Sequence, residues 1–155
     1  MWRMNWETSP LRVHDWIPAS GHALRHAGIH FDAVRVEGPP GERIMYDLTQ
    51  LTEFHVGPVI REGTGARYFY FLLPPGTAKS YGWPAGARPL GRSSAGFAYI
   101  GVPALDGWTW PLDWRSLPTV EKPFVEAKSL HEAVERATRR QGPIARNSHL
   151  TTEKP

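Results

Sequence analysis

The run Gly57-Pro-Val-Ile-Arg-Glu-Gly-Thr-Gly-Ala-Arg-Tyr-Phe-Tyr-Phe-Leu-Leu73 decides the fold class. Gly57 to Arg61 reads as a short strand, and Arg67 to Leu73, with its alternating Tyr and Phe followed by two Leu, has strong strand character. Gly63-Thr-Gly65 between them supplies glycine where a hairpin turn needs positive φ, so the two strands are expected to form a hairpin. The same glycines make a weak phosphate cradle, because the Lys-Ser/Thr ending and following helix of a phosphate loop are missing.

Upstream, Ile29 to Val36 reads as a strand with Phe31, Ala33 and Arg35 on one side and Asp32, Val34 and Val36 on the other, so one face presents a carboxylate. Glu37-Gly-Pro-Pro-Gly41 breaks the chain, and a helix from about Glu42 carries Ile44, Met45, Leu48 and Leu51 as a core stripe. An earlier helix is expected after Asp15 as N-cap, with Pro18 in its first turn, Trp16, Ala23, Leu24 and Ala27 on one face, and Gly28 as its stop. Downstream, Pro74-Pro-Gly76 opens a long irregular stretch. Gly96 to Val102 follows as a strand, and Ala104 to Pro123 is an extended segment whose tryptophans clamp onto the core. Ser129 with Glu132 matches a capping box, placing a last helix over Ser129 to Arg139.

These readings give one α/β (α+β) domain over residues 1–140, a small mixed or antiparallel central sheet flanked by helices, with a polar, flexible tail over 141–155. The length of 155 residues fits one core, and 15 Gly with 15 Pro predict many turns and exclude a helical bundle. With no Cys, the chain has no disulfide, thiolate metal site or cysteine nucleophile. No run approaches the ~18 apolar residues of a membrane span, which leads to the expectation of a cytoplasmic protein without membrane partners.

Net charge is +3, which permits an anionic partner. Its distribution says more: no Asp or Glu occurs between Glu62 and Asp106, whereas Arg67, Lys79, Arg88 and Arg92 do. His22, His26 and His30 have the spacing of metal ligands on a helix, but Gly28 interrupts that helix, and surface histidines are the favoured reading. No Gly-x-Ser-x-Gly elbow occurs, so hydrolase chemistry has no positive support. The tryptophans read first as core and loop anchors, and only second as platforms for stacking bases.

A strand with Asp, a glycine-rich turn, an aromatic strand ending in Pro-Pro-Gly and a strand ending in Val-Pro together resemble the N-terminal domain of bifunctional DNA primase/polymerases. This is the archaeo-eukaryotic primase type, and the resemblance is to its small, degenerate actinobacterial forms, over roughly Ala19 to Val134. The family's Asp-x-Asp metal pair corresponds here to Asp32 and Val34, so only a vestigial metal-site residue, Asp32, remains. Tyr68 stands where the family's nucleotide-contacting histidine would be, and the acid-free segment lacks the third carboxylate. Two-metal catalysis needs several hard oxygen ligands. The resemblance therefore implies a domain with no catalytic residue, metal or cofactor, in which Arg67, Tyr68, Arg88 and Arg92 bind nucleotide or nucleic acid, as an accessory to replication or transfer of a mobile element. The alternative is a protein-interaction or regulatory module that uses the Trp/Pro segment 103–123 as anchors on a retained scaffold. Convergence of Arg67, Arg88 and Arg92 on one concave surface would favour the first; dispersed arginines and an apolar patch would favour the second.

Overall fold

The expected hairpin is the centre of the structure. In a computed structural model that describes residues 14–92 and 98–152, strands β3 (Val59–Glu62) and β4 (Phe69–Leu73) pair antiparallel, with Ile60 opposite Tyr70. Gly65 in the connecting turn has φ +62°, the left-handed geometry that favours glycine, and Arg67 shares it with φ +56°. On the other side of β4 lies β2 (Asp32–Val36), antiparallel, with Arg35 opposite Tyr70 and Val34 opposite Phe71.

Helix α1 (Gly38–Leu51) links β2 to β3. Because β2 and β3 each run against β4, they run parallel to each other with β4 inserted between them, a split β-α-β unit. β5 (Ala87–Leu90) pairs with the free edge of β2, and β7 (Leu112–Ser116) pairs with the free edge of β3. The resulting five-stranded sheet has the order β5-β2-β4-β3-β7, every pair antiparallel. Strands β1 (His22–His26) and β6 (Tyr99–Pro103) form a separate two-stranded antiparallel sheet, and helix α2 (Ala127–Thr152) ends the fold. The protein is thus a mixed α+β domain, as its sequence leads one to expect.

Two hydrophobic clusters lie on opposite faces of the large sheet. One combines Val34, Val36, Phe69 and Phe71 with Ile44, Met45 and Leu48 of α1 and Leu130, Ala133, Val134 and Ala137 of α2. The other sets Ala33, Ile60 and Leu72 against Trp16, Phe31, Ile100 and Val102. The alternation expected within β2 is therefore the actual division between the two cores.

Four expectations need correction. The helix after Asp15 does not exist: His22 to His26 is strand β1, because its backbone groups pair with β6, and a tertiary ladder outweighs a narrow local apolar stripe. Helix α1 starts at Gly38, four residues earlier than expected, since Pro39 and Pro40 occupy first-turn positions whose N–H would have no intrahelical acceptor. β5 and β7 arise in stretches read as irregular or merely extended. The capping box does not form: α2 starts at Ala127, the Ser129 hydroxyl donates to the Glu126 carboxylate, and Glu132 instead accepts from Arg136 at 2.8 Å. The α2 backbone also continues through Gly142 and Pro143 to Thr152, into the expected tail. Gly96 and Phe97, the expected start of β6, lie outside the described residues. No helix among the described residues is long and apolar enough to cross a membrane.

Candidate functional site

Strand β2 sorts the candidate residues by position. Its ends, Asp32 and Val36, lie ~13 Å apart at the usual rise per residue. The face toward the helices carries Asp32, Val34 and Val36, and the opposite face carries Ala33 and Arg35.

At the Val36 end, on the face away from the helices, Arg35 has Tyr70 as its partner on β4 and Arg88 as its partner on β5. The Arg35 guanidinium lies 4.2 Å from the centre of the Tyr68 ring, within cation-π range. Tyr68 meets Tyr70 edge-on, with ring centres 6.2 Å apart. Strand alternation produces this group: Phe69 and Phe71 go into the helix-covered core, so Tyr68 and Tyr70 must point the other way. Arg35, Tyr68 and Arg88 line a cavity of about 350 Å³ with Glu37 as its one acid. Burial raises the Tyr70 phenol above its ordinary 10.0, with Glu62 adding to the rise and Arg35 opposing it, so Tyr70 is a neutral hydroxyl at physiological pH.

Two like charges directly opposite on neighbouring strands destabilise a sheet. Arg35 and Arg88 are such a pair, and among the described residues neither makes an ion pair with an acid. The cost is tolerated because Arg88 is exposed and Arg35 is spread over the Tyr68 ring. An anion bridging the two guanidinium groups would remove the repulsion.

Arg67 does not join this group. It precedes Tyr68 and points to the helix side, where its Cβ packs beside Gly38 at the start of α1. It lines a different cavity, of about 490 Å³, with Glu42, Arg61 and Glu62. Arg61 is already engaged by Asp113 at 3.0 Å and Glu42 at 3.9 Å. The two carboxylates of that cavity balance its two arginines.

Arg92 and Asp32 occupy a third place, at the other end of β2. Asp32 is 2% exposed and its Oδ2 accepts the Ala78 N–H at 3.0 Å, tying β2 to the 3-10 turn Ala78–Ser80. Its Oδ1 has no hydrogen-bond partner among the described residues. Lys79 and Arg92 line the cavity of about 620 Å³ beside it. The three arginines thus disperse into three cavities; of the residues expected to bind phosphate only Tyr68 and Arg88 share one, while Arg92 shares its cavity with Asp32.

The residue that joins Tyr68 and Arg88, Arg35, belongs to the alternation legible in β2, but nothing local marks β5 as its neighbour. The histidines do not converge either. His22 and His26 lie on one strand, ~13 Å apart by the strand rise, rather than one helical turn apart. Among the described residues no group of three His, Asp or Glu is placed to hold a metal ion. In the Trp/Pro segment, Trp114 is an anchor whose indole N–H donates to the Pro103 carbonyl at 3.0 Å, whereas Trp108 and Trp110 are exposed. Comparison of the chain with protein-family models, with curated proteins and with solved structures finds no match.

Proposed function

We propose that this domain binds single-stranded nucleic acid or its nucleotides on the open part of the sheet, through Arg35, Tyr68 and Arg88, without catalysing a reaction on them. The observation that carries the reading is the cross-strand arginine couple, without an ion pair among the described residues, beside a tyrosine ring. Guanidinium groups of this kind bind phosphate in two-point fashion, and an aromatic ring beside them gives a base a stacking surface. Sheet faces that combine aromatic and basic side chains suit single strands, whose unstacked bases are free to lie flat on them. Descent from a primase/polymerase-like domain, with an accessory role in replication or mobile-element transfer, belongs to the same proposal and rests on sequence resemblance alone.

The test is fluorescence anisotropy with labelled single-stranded DNA and RNA at low and moderate salt. Binding should weaken as salt rises, and Arg88→Ala should reduce the slope of log K against log salt by about 0.7, the share of one phosphate contact to a single strand. Salt-independent binding, or none at low ionic strength, would reject the reading.

Dispersal of Arg67, Arg88 and Arg92 favours the second reading, a protein-interaction module. So does exposure of Trp108 (81%), Trp110 (57%), Leu117 (52%) and Val120 (53%) within one segment. Bulky exposed aromatics are the usual anchors of protein interfaces. Under that reading, a Trp108→Ala/Trp110→Ala double variant loses a protein partner while oligonucleotides bind neither form.

A further inference from the structure

We propose that the cavity at the Asp32 end of β2 is a second binding site, for a small molecule that bears a hydrogen-bond donor, ammonium or hydroxyl, at one end and an anionic group at the other. The floor of the cavity is the buried Asp32 carboxylate, with one oxygen committed to the Ala78 N–H and the other without a partner. A carboxylate oxygen taken out of water calls for a donor, and among the described residues no group supplies one.

Two glycines shape this floor. A side-chain carbon at Gly28 would fall 2.3 Å from the Arg92 backbone nitrogen, so only glycine, here at φ +95°, lets residue 92 approach so closely. A side-chain carbon at Gly91 would lie 3.1 Å from Asp32 Oδ1, so glycine at 91 keeps any side chain of that residue off the oxygen. The wall is cationic. Lys79 and Arg92 both line the cavity, and among the described residues neither forms an ion pair with Asp32 or any other acid.

A simple anion meets repulsion from Asp32, and a simple cation meets repulsion from Lys79 and Arg92. A bipolar ligand satisfies both, its donor on Oδ1 and its anion on the guanidinium and ammonium groups. A volume of about 620 Å³ is ample for a small polar metabolite. The site lies away from the Arg35 group and does not depend on the nucleic-acid reading.

Isothermal titration with four probes tests it: phosphoethanolamine, glycerol 3-phosphate, inorganic phosphate and ethanolamine. One of the two bifunctional probes should bind about tenfold or more tighter than either single-function probe, as one added charge-assisted hydrogen bond implies. Which of them wins identifies the donor as ammonium or hydroxyl. Asp32→Asn should erase the advantage over inorganic phosphate, and Arg92→Ala should weaken both phosphate-bearing probes. Should Asp32→Asn fail to fold, Gly91→Ala, whose methyl group would crowd Oδ1, supplies the same comparison. Equal binding of inorganic phosphate and both bifunctional probes, no binding of any probe at millimolar concentration, indifference to Arg92→Ala, or dependence on a divalent metal would each overturn the assignment. Oligonucleotide binding by the Arg92→Ala protein should be unchanged, which keeps failure here separate from failure of the nucleic-acid reading.

Discussion

Strand β4 carries two kinds of aromatic residue, and its two faces have different fates. Phe69 and Phe71 are buried under both helices, with ring centres 6.2 Å apart in a stacked arrangement. Tyr68 and Tyr70 alternate with them, remain half-buried, and meet Arg35 rather than a helix. The neighbouring end of the same face is closed by Trp16 and Phe31 and by Ile100 and Val102 of the small sheet, so the open area is confined to the Val36 end. Hydroxyl and guanidinium groups are placed where the second layer stops. The helix-covered face is fully packed, and the tyrosine face stays partly open.

The strongest attempt to break this division is Phe71→Ala. The side chain is fully buried, and its loss leaves a cavity that α1 and α2 cannot close without moving, so unfolding free energy should drop by about 3–5 kcal/mol. Urea unfolding followed by tryptophan fluorescence measures it. A loss below ~1 kcal/mol would mean that the helices do not form the principal core.

Gly41→Ala approaches the same face from the helix side. An added Cβ would stand 2.5 Å from Phe69 Cδ1, and the phenylalanine ring is itself packed, so overpacking should cost about 1–3 kcal/mol despite the better helix propensity of alanine. A stabilised variant would show that Phe69 has room to turn aside.

The tyrosine face should respond the other way. Tyr68→Ala removes a half-buried ring and should change stability by less than ~1 kcal/mol, while costing about 1–3 kcal/mol of single-strand binding, the range for one stacked base. Tyr68→Phe keeps the ring and should retain binding. Paired anisotropy and urea titrations on the two variants decide the matter: if Tyr68→Ala unfolds the domain as Phe71→Ala does, the two faces are not distinct in role.

How much of this was legible in the sequence follows the range of the interactions involved. β2, α1 and the β3-β4 hairpin each carry their own signal, a period of two, a period near 3.6, or glycine at a turn, and each forms near its expected place. β5 was hidden by Pro89, which argues against a strand until the strand is known to lie at a sheet edge. β7 has readable alternation, Leu112 and Trp114 facing inward, but surrounding tryptophans and prolines masked it. The candidate site shows the same limit. Tyr68 and Arg88 are legible as candidates and share a cavity, whereas Arg67, next to Tyr68 in sequence, sits in the turn at φ +56° and lines a different cavity. Arg92 is a candidate by charge alone, and it sits with Asp32 at the far end of β2.

The mildest way to sharpen the comparison is pH. His14 is buried against Trp16, ring centres 5.2 Å apart, in the layer that closes part of the tyrosine face, and its Nε2 has no hydrogen-bond partner among the described residues. Burial lowers its pKa below the ordinary 6.5, with the neighbouring Asp15 opposing that shift only in part. The folded state therefore holds the neutral ring, while the unfolded chain takes up a proton near the ordinary value. Its contribution to stability is complete above about pH 6.5 and declines as pH falls from there through the lowered folded value. Thermal melts across pH 7.5 to about 5 should show Tm falling below ~6.5, and His14→Phe, which keeps an aromatic ring against Trp16 but cannot titrate, should flatten that part of the profile. An unchanged profile in His14→Phe would assign the acid sensitivity to another group and remove His14 from the account of how the second face is closed.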